Sequence, residues 1–375
     1  MDVVVAGVGV AGSFTLHYLP KNFEVVGIDK RTKLGYPVEC GEIVPVKKEM
    51  KDLLPNLDDY SIFEIPKKFE SNRTKWMKFI LPNGREIDVE FEMHVIKRDE
   101  MIRTLAENSG HKLILGKMFD FDGDVVVDGK KIESKVIIGC DGANSRIRRR
   151  LGLKFEISPA KQYVVRGFEG EEDTIYMYVG RKIAAGGYAW IIPKGEGLAN
   201  VGTGFRVEYA ERGDNIHKAL DRFLREYPYS SWMLKKAEII QKIGAVVPID
   251  LPVKSVHGKV ILAGDSASMI ISHVGAGIPP SMVAGKIAAE VVTEFLNGRV
   301  ELEEYERRWK NAMYDVMVRS NYLKRMWDKI AERDERVNKL FRIVSEKDMG
   351  AILRAKIPVK IRLASFLLPI ITTFL

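Results

Sequence analysis

At 375 residues the chain exceeds what one hydrophobic core ordinarily organises, so it reads as two domains with room to enclose a large ligand. Apolar residues make up 46% and charged residues 29%, the balance of a soluble globular protein; the two cysteines, Cys40 and Cys140, carry no paired metal-ligand spacing, so neither a disulfide scaffold nor a metal site is expected. Net charge is +8, and Gly298 to Leu375 holds 17 Lys and Arg against 11 Asp and Glu, but these bases alternate with acids along a helical stretch, which argues against a nucleic-acid partner.

The chain opens on Val3-Val4-Val5-Ala6, a buried strand, followed by Gly7-Val8-Gly9-Val10-Ala11-Gly12 and a helix start. A second apolar run, Phe23 to Ile28, ends in Asp29. Strand, glycine turn, helix start, strand and acid in this order are the dinucleotide-binding fingerprint. Gly7 permits the tight turn, Gly9 lets the backbone approach a pyrophosphate, and Gly12 lets the helix pack on the strand. The free N–H groups and positive end of that helix then face the phosphates. Asp29 is placed to accept hydrogen bonds from a ribose diol, and the neighbouring Ala11 and Lys30 complete the expected contacts. The N-terminus enters a core strand at residue 3 without a preceding basic stretch, so no secretory signal is expected and the cytoplasm is the expected location.

Further along, Pro37 to Pro45 is a Gly- and Pro-marked loop, and Pro82-Asn83-Gly84 between Trp76–Leu81 and Arg85–Phe91 predicts a hairpin. Asp99 to Asn108 reads as a short helix capped by Asp99. Val125–Val127 and Val136–Gly139 are short strands, the second leading into Cys140-Asp141-Gly142. Between about 159 and 255 the pattern is β-rich, with Tyr163–Phe168, Thr174–Val179, Gly187–Pro193 and Leu198–Gly204 as strands and Asn215–Tyr227 as an interrupting helix. Lys259–Ala263 returns to a buried strand, and long helices follow from Pro279. The chain ends in an apolar tail, Ile361 to Leu375, too short to span a bilayer, preceded by Lys356, Lys360 and Arg362. That segment suits contact with an anionic membrane surface or, equally, a terminal helix docked on the core.

The strand at 259–263 ends in Gly264-Asp265-Ser266-Ala267, and Gly275-Ala276-Gly277-Ile278 leads into a helix with Pro279 and Pro280 in its first turn. With the N-terminal fingerprint this resembles the second FAD motif of glutathione-reductase-like and hydroxylase-like flavoproteins. The resemblance implies that Asp265 binds the ribityl or pyrophosphate side and that Gly275 to Ile278 face the flavin pyrimidine. Cys140-Asp141-Gly142 is similar to the Asp-Gly motif of the same superfamily, and Arg98 falls where it carries an arginine reaching the FAD. Lacking a second copy of the fingerprint, the chain implies FAD as a resident cofactor and an external electron donor, ferredoxin or a reduced nicotinamide.

Two stretches narrow the resemblance. Pro37-Val38-Glu39-Cys40-Gly41-Glu42 resembles the Pro-x-x-Cys-Gly-Glu motif of geranylgeranyl reductases, and Tyr188-Ala189-Trp190-Ile191-Ile192-Pro193 their Tyr-x-Trp-x-Phe-Pro motif. The order is kept over residues 1 to about 300 and is similar to the archaeal digeranylgeranylglycerophospholipid reductases. Ile192 stands where that family usually has Phe, and Ser272-His273-Val274 replaces a Pro-containing stretch; both departures bear on the substrate more than on the cofactor.

The resemblance implies an FAD-binding Rossmann-like α/β domain (residues 1–60, 94–158 and 256–297), an inserted β-rich substrate domain (61–93 and 159–255) and a C-terminal helical region (298–375). It also implies saturation of geranylgeranyl chains in ether phospholipids, with Cys40 and Glu42 as catalytic candidates, Tyr188, Trp190 and His273 lining the prenyl-lipid site, and Gly41 and Gly142 beside the cofactor. The rival readings are a flavin monooxygenase or halogenase, a quinone prenyl-tail reductase and a non-catalytic prenyl-lipid escort.

Overall fold

Val3 to Ala6 are all fully buried, the mark of a strand covered on both faces, and they form β1 (Val3–Ala6) at the centre of a parallel sheet in the computed structural model, which describes residues 1–226 and 228–362. In chain order, α1 (Val10–Tyr18) and β2 (Val25–Asp29) complete the first unit. Next come β3 (Ile43–Pro45), α2 (Lys47–Leu53), the long hairpin β4 (Glu70–Ile80) and β5 (Glu86–Ile96), and α3 (Arg98–Asn108). Short strands β6 (Lys112–Leu115), β7 (Phe119–Asp122), β8 (Asp124–Val127), β9 (Lys130–Ile132) and β10 (Val136–Gly139) lead to α4 (Arg146–Arg150). The β-rich stretch holds β11 (Ile157–Arg166), β12 (Thr174–Tyr178), α5 (Arg181–Ala184), β13 (Ala189–Gly195), β14 (Leu198–Gly204), α6 (Ile216–Arg225), α7 (Pro228–Met233) and β15 (Glu238–Pro248). After β16 (Val256–His257) and β17 (Val260–Leu262), the helices α8 (Ile278–Leu296), α9 (Glu304–Trp309), α10 (Asp315–Ile330), α11 (Asp334–Phe341) and α12 (Glu346–Leu353) follow.

The strands form a six-stranded sheet in the order β16-β17-β10-β1-β2-β6, an eight-stranded sheet in the order β15-β11-β14-β13-β12-β4-β5-β3, and a small sheet of β7, β8 and β9. In the first sheet all pairs but β16–β17 are parallel, and β1 registers Val3 on Val25 to one side and on Val136 to the other. The larger sheet is antiparallel except at β12–β4, and alternation sorts its residues cleanly. Ile175 and Met177 face a core shared with α10, α11 and α12, whereas Tyr176 and Tyr178 pack with Leu220 and Phe223 of α6 on the other face. The C-terminal helices therefore cover one face of this sheet and α5 to α7 the other.

The hairpin, the Leu198–Gly204 strand and the helix after Asn215 form as the pattern predicts; Asn215 caps α6 by accepting from the N–H groups of His217 (3.0 Å) and Lys218 (3.1 Å). Tyr227, the expected end of that helix, lies outside the described residues, as does the apolar tail from Leu363 on. Asp99 does not cap α3: Lys97 holds the N-cap position, and Asp99 sits in the first turn, where its charge faces the positive helix end. β15 was not expected from the pattern, and of the small sheet only β8, read as Val125–Val127, was expected, without its partners β7 and β9. β3, though inside the segment 1–60, pairs with β5 in the larger sheet, because a three-residue strand carries no alternation to read. Among the described residues no helix is long and apolar enough to cross a membrane.

Candidate active site

Gly7 takes φ +98°, and a Cβ there would overlap the backbone of Cys140 and Asp141; a Cβ on Gly12 would overlap Gly7 O. These two glycines join β1, β10 and α1 with no space between. Gly9 differs, since a Cβ there would meet nothing within 4 Å, and it lines a cavity of about 1200 Å³. That volume exceeds the roughly 300–1,000 Å³ of an ordinary small-ligand pocket. Gly9 is also the N-cap of α1, with no side-chain cap and no acid in the first turn, so the helix end is open toward the cavity. Asp29 braces this turn from below, its Oδ2 accepting from Val8 N (2.8 Å) and its Oδ1 from Arg31 N (2.8 Å). It lines the cavity with Ala11 and Lys30, and its carboxylate keeps lone pairs for a further donor.

The same cavity is lined by Arg98, Asp141, Gly142, Asp265, Gly275, Gly277 and Ile278. Asp141 Oδ2 accepts from Arg146 N at 2.6 Å, starting α4, while among the described residues its buried Oδ1 has no partner, nor has the buried Nε of Arg98. Burial pushes the Asp265 carboxyl up to about 6, with Arg98 opposing, and no hydrogen bond reaches this carboxyl among the described residues. A Cβ on Gly277 would stand 2.7 Å from Asp265 Oδ1, so glycine there lets the start of α8 close onto the acid. Gly264, at φ +70°, turns the chain between β17 and that acid. Unpaired buried polar atoms, a bare glycine turn and two open helix ends facing one space fit an extended polar ligand such as FAD: Gly9 and α1 for its phosphates, Asp29 for its ribose, and Arg98, Asp141, Asp265 and Gly275–Ile278 for the rest.

Cys40, Gly41 and Glu42 lie between this polar half and an apolar half. Glu42 adopts φ +65°, an uncommon conformation for a residue with a Cβ, and its side chain is buried. Its carboxylate pairs with Lys194 and accepts from Asn200 Nδ2 at 3.0 Å, and Asn200 Nδ2 also reaches Gly41 O at 3.2 Å. Glu42 is thus engaged by the sheet, and its geometry fits holding the loop rather than exchanging a proton with a ligand. Burial pushes the Cys40 thiol above its ordinary value, with Arg98 opposing. Burial likewise raises Cys140, which backs the glycine turn.

Tyr188 and Trp190 line the cavity with ring centroids 5.8 Å apart, edge to face, and Tyr188 Oη donates to Val274 O at 2.5 Å. His273 also lines it, yet both ring nitrogens are used within the chain: Nε2 donates to Ile352 O (2.8 Å) and Nδ1 accepts from Ser320 Oγ (2.9 Å). Burial lowers it to about 4, so it stays neutral. His273 thus lines the cavity while its ring ties the 272–278 loop to Ser320 of α10 and Ile352 of α12. A large apolar part of the wall, beyond Tyr188, Trp190 and Ile192, was not read from the sequence as part of the site. Met77, Phe91, Met93 and Met177 from the sheet face Met326, Trp327, Phe341 and Met349 from the C-terminal helices, and Ile192 joins them. The helical amphipathicity was the available signal, but an apolar stripe looks the same whether it meets core or ligand.

Residues 156–247 match the geranylgeranyl reductase catalytic domain family. Over 345 aligned residues the chain is 30% identical to a digeranylgeranylglycerophospholipid reductase of Methanosarcina acetivorans, covering 82% of this chain and 80% of the relative. It is 29% identical to digeranylgeranylglycerophospholipid reductase 1 of Methanococcoides burtonii, covering 89% and 85%. Among solved structures, a geranylgeranyl bacteriochlorophyll reductase-like protein from Thermoplasma acidophilum superposes with TM-score 0.76 at 23% identity, covering 98% of this chain and 95% of that one. A flavin-dependent brominase shares the fold at TM-score 0.68 and 18% identity, covering 94% of each chain.

Proposed function

This chain belongs to the geranylgeranyl reductase family, and from that premise we propose that it is an FAD-dependent reductase saturating the C=C bonds of geranylgeranyl chains in ether phospholipids. One observation carries the reading: a single cavity joins a polar part suited to a dinucleotide with an apolar part suited to a prenyl chain, and Cys40 in its lining lies within electrostatic reach of Arg98 and Asp265 on the one hand and of Tyr188 on the other. Saturating an isolated alkene requires a hydride and a proton on adjacent carbons. No side chain supplies a hydride; reduced FAD does so when bound.

The protein's residues do the rest. The methionine- and aromatic-lined half binds the chain and keeps water from the reacting carbons, its methionines adapting to a flexible ligand. The start of α8 at Gly277, uncapped by any side chain, stabilises negative charge on a ring placed against it. Because burial raises the Cys40 thiol, it remains protonated at neutral pH, which suits a proton donor better than a nucleophile. Glu42 holds the loop that carries this thiol. Electrons come from an external donor, ferredoxin or a reduced nicotinamide. The same reading places the enzyme in the cytoplasm, against the inner membrane face; exposed Val359 among Lys356, Lys360 and Arg362 supports this.

The test is an anaerobic single turnover. Flavoprotein reduced with dithionite is mixed with digeranylgeranylglycerophospholipid, and the lipid is read by mass spectrometry. A gain of two mass units per saturated bond, with concurrent return of the oxidised flavin spectrum, is expected. A flavin that stays reduced beside unchanged lipid refutes the proposal, and a gain of one oxygen when the same mixture is then exposed to air favours the monooxygenase alternative.

A further inference from the structure

Three consecutive residues, Cys40, Gly41 and Glu42, are gripped by side chains from three adjacent strands of the larger sheet. Lys194 of β13 and Asn200 of β14 hold Glu42 and Gly41. The third grip falls on the cysteine itself: Gln162 of β11 donates from Nε2 to Cys40 O at 2.9 Å. Gln162 is buried, and its other atom is committed as well, Oε1 accepting from Trp190 Nε1 at 2.9 Å. A buried amide thus has its oxygen and one N–H satisfied by two segments of the site.

Register explains how Trp190 reaches across. Gln162 pairs with Gly202 on β14, and Gly202 pairs with Trp190 on β13, so the three form one row over the sheet. A Cβ on Gly202 would overlap the indole and stand 2.6 Å from Lys161 O, so only a bare backbone lets the ring lie over the middle strand to its partner. From Trp190 the row continues by ring contact to Tyr188 and by hydrogen bond to Val274, beside Gly275 and Gly277.

We propose that Gln162 is the positioning residue that fixes Cys40 relative to the substrate aromatics and the 272–278 loop, and that Gly202 exists at its position to let Trp190 complete this link. The proposal rests on the reductase reading for its activity arm, but not for its thiol arm. Gln162 lines the cavity, and its two hydrogen bonds run to Cys40 and to Trp190, so it acts by positioning these two residues.

The experiment compares wild type, Gln162→Met, Gln162→Glu and Trp190→Phe as purified flavoproteins. Alkylation of Cys40 by iodoacetamide is followed by mass spectrometry with Cys40→Ser as the background, and lipid saturation is measured in parallel. Gln162→Met frees the loop, so alkylation accelerates about tenfold, as expected for losing one buried hydrogen bond. Its kcat falls by about 10²-fold through misplacement, while KM and bound FAD remain as in wild type. Gln162→Glu keeps the acceptor for Trp190 but puts an oxygen against Cys40 O, and it shows the same acceleration. Trp190→Phe keeps the ring without its N–H and falls between; it also decides the matter if Gln162→Met does not fold. Unchanged alkylation in Gln162→Met and Trp190→Phe overturns the proposal, as does loss of FAD and of thermal stability without faster alkylation. If wild type saturates no prenyl lipid, the reductase reading fails while the alkylation rates still decide this one.

Discussion

Replacing His273 with Gln should change how stability depends on pH in a window that its environment defines. The neutral ring donates from Nε2 to Ile352 O and accepts at Nδ1 from Ser320 Oγ, which also accepts from the His273 backbone N–H at 3.1 Å. Protonating Nδ1 would set its new proton against the hydroxyl hydrogen and bury a charge, and burial accordingly lowers the group from 6.5 to about 4. The unfolded chain binds this proton below 6.5 and the folded chain does not until about 4, so stability is lost as pH falls through that interval. At 1.36 kcal/mol per unit the loss approaches about 3 kcal/mol. Asp265 works in the opposite sense: raised from 3.8 to about 6, it binds its proton earlier in the folded state and adds stability as pH falls from 6 toward 3.8. The wild type therefore shows the two effects superposed, and the informative quantity is the difference between wild type and His273→Gln. Urea unfolding at half-unit steps from pH 7 to 4 by tryptophan fluorescence should give a difference growing by up to about 3 kcal/mol toward pH 4. A difference that stays constant over the window would refute the assignment of a neutral, enclosed imidazole.

The two glycines of the first turn should separate cofactor from fold. Gly9→Ala has open space for its methyl group and should keep its thermal midpoint while losing FAD on gel filtration, whereas Gly12→Ala collides with Gly7 O and should lose more than about 2 kcal/mol in urea unfolding. Cys40→Ser should retain the flavin spectrum and lower single-turnover saturation by about 10²-fold or more, as removal of a general acid does; full turnover would remove the thiol from the mechanism. Glu42→Gln leaves Lys194 unpaired and largely buried and should cost about 3 kcal/mol, much of it recovered in Glu42→Gln with Lys194→Met; a double variant no more stable than the single one would argue against the ion pair as the loop's anchor.

The nucleotide half was legible because its signals are local. Gly7 to Gly12 and Asp29 lie within one βαβ unit, and each glycine's reason is a backbone contact a few residues away or a helix start. The Leu198–Gly204 strand was read for the same reason, since its apolar run stands between clear turns. β15 was not read, because its first residues, Glu238 to Ile240, are exposed and its pattern never alternates cleanly. Asp99 was misplaced by two residues, a difference that depends on where the chain leaves β5 after Ile96 and not on the residue type. The apolar wall was invisible for a further reason: Met326, Phe341 and Met349 meet Met77 and Met93 only through a fold that brings residues some 250 positions apart onto one sheet face.

The cysteine loop lies between these cases, and it identifies what kind of information was missing. Its motif placed Cys40 near the cofactor, but its anchors were present in the sequence as anomalies: Gln162 beside Tyr163-Val164-Val165, Asn200 inside an apolar strand, Lys194 after Ile192-Pro193. By alternation Gln162 shares its face with Val164, Asn200 with Gly202, and Trp190 with Ile192 and Lys194. Buried polar residues must find partners, so each of these predicts a contact on the face that carries the aromatic motif. Only the pairing of Gln162 with Gly202, and of Gly202 with Trp190, turns those separate demands into one row over the sheet, and strand register of that kind is set by tertiary pairing instead of by any single strand. The glycine in the middle of that row is therefore a specific trace of the site in the β-rich region: a residue that weakens a strand by itself stands where a side chain would overlap the Trp190 indole that reaches Gln162.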